Sequence, residues 1–215
     1  MSKPVLVLGA GGHAAVVVDI LRQLKCDIVG LVSKDILASQ PIFSELTLFS
    51  SDDEILRFEN DDILLVNAIG SLPGYSTRFE VHERYKDLGY TFMKVISPLA
   101  MVSKYAVLDE GVQIMPGCIV NANVSIGSDT IVNSGAIIEH DCRIGSHNHI
   151  APGAILCGGV VTGDSVHVAV GAKVIQGINI GARTVVGAGA TVIKNLDADM
   201  KIYGPKSFLK SEVIR

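Results

Sequence analysis

Between Ala136 and Ala154 the chain reads AIIEHDCRIGSHNHIAPGA. This stretch carries three of the six histidines, His140, His147 and His149, with Glu139 and Asp141 among them. Such side chains support two kinds of chemistry. Imidazoles and carboxylates are zinc ligands, provided three or four donors converge at about 2 Å. A histidine beside a carboxylate is also a general base near neutral pH, the acid raising its basicity or fixing its tautomer. A solvated surface histidine is the third possibility. The choice depends on where each side chain points, and so on the elements that carry it.

Those elements are announced by period. From Val102 to Val192 every sixth residue is aliphatic, Thr162 alone excepted. Four places after these come small or β-branched residues such as Ala106, Cys118, Thr130, Ala136, Cys142, Ala154, Ala172 and Ala190. Two glycine series, Gly117 to Gly189 and Gly127 to Gly181, each recur every eighteen residues. Three hexads therefore make one coil of a β-solenoid, which buries its aliphatic rows by stacking coil on coil. The uncharged run from Ile144 to Gly163 shares this phase and contains Pro and five glycines, so it reads as β structure and not as a membrane span.

The phase sorts the opening stretch. Ile138, Cys142, Ile144, Asn148 and Ile150 fall on interior positions; His140, Asp141, His147 and His149 do not, and are expected to face solvent or a neighbouring subunit. One coil further on, Gly158 stacks over His140, Gly159 over Asp141, and His167 over His149, with coils about 4.8 Å apart. Two glycines leave room beside the imidazole and bring backbone N–H groups near a reacting carbonyl. The pleat sends neighbouring side chains in different directions, which argues against a metal site, and no metal is expected.

Before Ser97-Pro98 the pattern is different. PVLVLGA, DIVGLV and DILLVNAIG read as the first, second and third strands, and YTFMKVI as one more. AAVVVDILRQL, with Val16, Ile20 and Leu24 on one face, and YSTRFEVHERYKDLG read as helices. The fold class expected is therefore α/β plus all-β: a small Rossmann-like domain over residues 1–97, then a β-helix with a C-terminal tail over 98–215. The turn GAGGHA between the first strand and helix places Gly9, Gly11, Gly12 and His13 where backbone can approach a phosphate, or where a helix simply packs tightly on a strand. A dinucleotide cofactor is disfavoured, because the second strand ends in VSKD with Asp35 late for a ribose.

Composition limits the partners. Lys and Arg number 9 against 13 Asp and Glu in residues 1–97, and 9 against 9 afterwards, with no basic tract, so nucleic acid is not an expected partner. Cys26, Cys118, Cys142 and Cys157 form no CxxC pair, and MSKPVLVLGAGG lacks the shape of a signal peptide, so a cytoplasmic protein without membrane attachment is expected.

The blocks GAGGHA, AIG (Ala68–Gly70), MPGCIVNA, EHDCRIG and GAGATVIKN together resemble the bacterial sugar acyltransferases of the NeuD/PglD type, over nearly the full length. The resemblance implies a left-handed parallel β-helix, a homotrimer with active sites between subunits, and acetyl-CoA as co-substrate. It implies N-acetylation of an amino sugar carried on UDP or GDP, for surface polysaccharide or glycoconjugate synthesis. O-acetylation of a sialic acid or another sugar hydroxyl is the alternative, and a catalytically silent scaffold a further one. By the same resemblance His140 is the base and Asp141 its acidic neighbour, while His149 and Gly158 contact acetyl-CoA. Gly11, Gly12, His13, Lys34 and Gly70 fall on positions that hold the nucleotide sugar. His147 matches no assigned position and is expected to be solvated. The tail, YGPKSFLK, shortens the family's closing turn; Lys201, Lys206 and Lys210 either approach CoA phosphates or are solvated.

Overall fold

The computed structural model describes residues 3–33 and 41–204. Lys34, Asp35, Lys206 and Lys210 lie outside the described residues, so the roles expected of them have no structural counterpart here.

The N-terminal sheet is parallel and has four strands: β1 (Val5–Leu8), β2 (Ile28–Val32), β3 (Thr47–Phe49) and β4 (Leu64–Asn67), in the order β3-β2-β1-β4. The chain moves outward from β1 to β3 and then returns to pair β4 on the other side of β1. This reversal opens a crevice at the carboxyl ends of β1 and β4, where parallel sheets bind ligands. Gly9 to Gly12 follow β1, and Ala68 to Gly70 follow β4, so both turns line it.

Three expectations need correcting. Thr47–Phe49 forms a strand that the sequence reading missed, which makes Leu64–Asn67 the fourth strand and not the third. Helix α1 (Gly12–Gln23) buries Ala14, Val17, Val18, Ile20 and Leu21, while Val16 and Leu24 are each 38% exposed. The true stripe uses the small Ala14 and steps by three and four, whereas steps of four alone drift around the helix. YTFMKVI is not one strand: Phe92 bridges to Leu65 of β4, and Val95–Ile96 already pair with Gln113–Ile114 of the solenoid.

From Val95 onward, two-residue strands climb in three parallel faces, each strand pairing with the one eighteen residues on, as in Ile137↔Ile155 and His149↔His167, until the last pair, Val185↔Lys201, closes at sixteen. The first face runs from Val95–Ile96 to Lys201–Ile202, the second from Met101–Val102 to Thr191–Val192, and the third from Val107–Leu108 to Asn179–Ile180. The aliphatic row and the small row fill the interior: Ile114, Val132, Ile138, Leu156 and Val174 are at most 1% exposed, and Cys118, Thr130, Ala136, Cys142 and Ala154 are sealed. From Gly111 to Gly189 each corner turns through a left-handed residue. At the second–third corner that column is Asn123, Asp141, Gly159 and Gly177, with φ from 61° to 70°.

Helix α2 (Thr77–Asp87) and the segment Ser71–Ser76 lie between the N-terminal sheet and the first face; α2 ties the two halves together through Arg78–Asp129 and Lys86–Glu110, and β4 does so through Asn67–Gln113.

Candidate active site

His140 and Asp141 occupy the second–third corner, in the turn between Ile137–Ile138 and Arg143–Ile144. Asp141 adopts φ 61°, which swings its carboxylate back toward the preceding residue, and its Oδ2 accepts the His140 Nδ1–H at 2.8 Å. Asn123, one coil below, donates from Nδ2 to Asp141 Oδ1 at 3.1 Å. These two hydrogen bonds, His140's the larger, hold the Asp141 carboxyl below its usual pKa. With Nδ1 carrying the proton, the Nε2 lone pair is free to act as a base. Both side chains remain open to solvent, 65% and 58% exposed.

Gly158 explains the ring's position. A Cβ there would lie 2.6 Å from His140 Cε1 and 2.8 Å from Nε2, so the imidazole occupies space that only a glycine leaves empty. The Gly159 N–H is taken up by the His140 carbonyl at 2.9 Å, whereas the Gly158 N–H has no acceptor among the described residues. Of the two amides expected beside the ring, one is therefore available to a developing oxyanion.

His149 and His147 behave differently from the expectation. They are outward-facing in the solenoid, yet the N-terminal half covers them. His149 is only 8% exposed: Nδ1–H donates to the Ser71 carbonyl at 2.9 Å and Nε2 accepts from Asn133 Nδ2 at 3.0 Å. Burial, reinforced by His167 at a ring distance of 4.8 Å, pushes its pKa down to about 3. His147 is not solvated surface. It packs edge-on against Phe79 and His82, with Nδ1 3.4 Å from Asp129 Oδ2.

At the Gly-rich turn, Gly11 caps α1 and Gly12 begins it, and a Cβ on either would meet nothing within 4 Å. Gly70 faces the same space, its Cβ position 3.7 Å from His13 Cβ. The crevice thus has an open floor of backbone under a helix N-terminus. His13 Nε2–H donates to Gln113 Oε1 at 2.8 Å, and Gln113 Nε2 donates to the Asn67 carbonyl at 2.7 Å. Burial, and then the Arg78 charge, lower the His13 pKa to about 4, so it is a neutral imidazole here.

Arg78 is the centre that the sequence did not reveal. Its Nη1 donates to the carbonyls of Asn67 at 2.6 Å and Ile69 at 2.7 Å, and its Nη2 to Asp129 Oδ1 at 2.7 Å. One buried guanidinium therefore fixes the turn after β4 against the corner of the solenoid. The eighteen-residue spacing of Asp129 and His147 could have shown that they stack; nothing local marks Arg78 as their partner. Among the described residues no three His, Cys, Asp or Glu side chains converge to hold a metal ion.

Within one chain the two groups of expected site residues are not brought together. The Gly-rich turn, His13, Gly70 and His149 lie on the side of the first face. His140, Asp141 and Gly158 lie at the corner opposite that face.

Known proteins share the two-part architecture. Residues 4–84 match the PglD N-terminal domain, and residues 123–158 match the bacterial transferase hexapeptide model of six repeats. PerB from Caulobacter crescentus, solved with CoA and GDP-perosamine, is 33% identical, with 95% of each chain covered and a TM-score of 0.82. A variant of the perosamine N-acetyltransferase from the same organism, also with CoA and GDP-perosamine, is 30% identical over 99% of each chain, with a TM-score of 0.83. The chain belongs to the PglD-type sugar acetyltransferase family. The acetyltransferase domain of PglB from Neisseria gonorrhoeae FA1090, in complex with acetyl coenzyme A, is 25% identical over 95% of this chain and 97% of that one, with a TM-score of 0.83. A comparison with curated protein sequences returns no significant match. The fold is thus the left-handed parallel β-helix of this family joined to its small N-terminal sheet domain.

Proposed function

We propose that this family member is an acetyl-CoA-dependent N-acetyltransferase whose acceptor is the amine of a deoxysugar linked to UDP or GDP, and that it works as a homotrimer. The observation that carries this reading is the His140–Asp141 pair, with Nδ1 bound to the carboxylate and Nε2 free over Gly158. The relatives solved with CoA and GDP-perosamine support the substrate class. The opposite placement of the Gly-rich turn and His140 supports the trimer: a sugar bound at Gly11, Gly12, His13 and Gly70 of one subunit reaches His140 only from a neighbour. Lys34 keeps its proposed place at the nucleotide on the strength of the family match alone.

In this scheme His140 Nε2 takes the proton that the amine sheds as its nitrogen bonds to the thioester carbonyl and the C–S bond breaks. Asp141 keeps the ring oriented and stabilises the imidazolium. The Gly158 N–H stands ready for the carbonyl oxygen. His149 and Gly158 of one chain lie on opposite sides of the β-helix, so both contact one acetyl-CoA only across a subunit boundary. His149, with both ring nitrogens engaged, offers its ring edge. The four cysteines carry free thiols, which fits a reducing cytoplasm.

The test is thiol release from acetyl-CoA with UDP- and GDP-linked amino sugars, the product being checked by mass spectrometry before and after mild base. An amide survives base and an ester, the product of the sialic-acid alternative, does not. His140→Asn should lower kcat by roughly 10²–10⁴-fold in a protein that remains folded and trimeric. Near-native kcat in that variant would remove His140 from the role of base.

A further inference from the structure

We propose that Asn123 is a positioning residue for catalysis: it grips the far oxygen of Asp141 so that the near oxygen fixes His140 with its proton on Nδ1. The inference rests on the general-base reading above and deepens it.

The corner column makes the case. Positions 123, 141, 159 and 177 all turn through the left-handed region, and the upper two are glycine, the residue that adopts it without cost. The lower two are Asn and Asp, the non-glycine residues that best tolerate this conformation, and they are the two whose side chains meet. A coil that needed only a turn would be served by glycine at 123 as it is at 159. The amide instead donates to Asp141 Oδ1 at 3.1 Å, while Oδ2 of the same carboxylate accepts from His140 at 2.8 Å. With its two oxygens engaged on opposite sides, the carboxylate cannot rotate away from the ring without breaking one of these bonds. A parallel contact stands beside it: Asn121 Nδ2 donates to Glu139 Oε2 at 2.7 Å, again eighteen residues apart. Two asparagines of one coil thus hold the two acids that flank the histidine in the next.

Asn123→Gly is the informative variant, because glycine keeps the backbone conformation and removes only the amide. Its kcat should fall roughly five- to tenfold, with KM unchanged for both substrates. The loss should disappear when Asp141→Asn is already present, since Asn123 acts through that carboxylate. An independent readout needs no turnover. Long-range proton–nitrogen correlation spectra of protein labelled with 15N-histidine should show neutral His140 protonated on Nδ1 in the wild type and partly on Nε2 in Asn123→Gly. Unchanged spectra, or an Asn123→Gly loss that persists in the Asp141→Asn background, would overturn the proposal. Near-native kcat in His140→Asn would defeat the general-base reading alone, and the tautomer measurement would still decide whether Asn123 positions the ring.

Discussion

Two corners of the same β-helix carry an acidic residue in the left-handed position with a histidine close by, and they have opposite characters. At the third–first corner Asp129 is sealed, 0% exposed, against Arg78, with His147 and His82 around it. At the second–third corner Asp141 stands 58% exposed beside an open His140. The backbone geometry is the same, φ 54° at Asp129 and 61° at Asp141. The difference lies in what packs outside: α2 covers the first corner, and nothing among the described residues covers the second. Hexad phase therefore determines that a side chain points outward, and the neighbouring element determines whether outward means a structural lock or an accessible imidazole.

The largest effect should come from breaking the covered corner. Asp129→Ala leaves the Arg78 charge buried without its carboxylate, which should cost about 3–5 kcal/mol in urea unfolding. Combining Arg78→Met with Asp129→Asn should recover part of that loss, because no buried charge is then left unpaired and asparagine keeps the left-handed backbone. Removing Asp141 from the open corner by Asp141→Asn should leave the urea midpoint nearly unchanged and lower kcat instead. An Asp129→Ala midpoint indistinguishable from wild type would mean that the two corners do not differ in this way.

A smaller effect marks the covered side of the solenoid by pH. An unfolded imidazole titrates near 6.5. In the folded protein, burial lowers His13 to about 4 and His149 to about 3. Below pH 6.5 the unfolded chain thus binds protons that the folded one refuses, so stability declines as pH falls through 6.5. The decline continues to about 4 for His13 and about 3 for His149. Each histidine contributes a slope of at most ~1.4 kcal/mol per pH unit, and above 6.5 neither contributes any. Urea midpoints between pH 8 and pH 5 should show the decline, and His13→Gln should flatten it. A midpoint that stays constant over that range would refute the burial of these rings.

This contrast also explains what was legible in the sequence. A solenoid repeats one local rule, so period alone yielded its interior rows, its corners and the stacking of Gly158 over His140. The direction of His149 was legible for the same reason, and its burial was not, because Ser71 that caps it is 78 residues away. Arg78 sits in a helix whose other buried side chains include His82 and Tyr85, so polar residues form the covered face and apolar patterning could not mark it. In α1 the choice of face failed because the small Ala14 belongs to the buried stripe.

Gly158→Ala probes the open corner by sterics. The residue does not have a positive φ, so alanine is allowed by the backbone, and the nearest atoms to its Cβ would be those of the imidazole, at 2.6 Å. The ring can rotate into solvent, so unfolding should change by no more than ~0.5 kcal/mol. Rotation detaches it from Asp141, and kcat should fall about tenfold. Full activity in this variant would show that the observed ring position is not the productive one.

The smallest structural perturbation tests the other half of the proposed composite site. Gly12 is the first residue of α1, is exposed, and a Cβ on it would touch nothing within 4 Å. Alanine is a better helix former, so Gly12→Ala should leave the melting temperature unchanged or raise it, by up to ~1 kcal/mol of stability. Any kinetic penalty must then come from a ligand and not from the fold. If the backbone of this turn receives the phosphates of the sugar nucleotide, the added methyl should raise KM for that substrate roughly tenfold, about 1.4 kcal/mol. KM for acetyl-CoA should not move if that substrate binds, as proposed, at the corner by Gly158 and at the edge of His149. An unchanged KM for the sugar nucleotide would reduce GAGGHA to a packing turn, and would place the donor of specificity elsewhere along the crevice between β1 and β4.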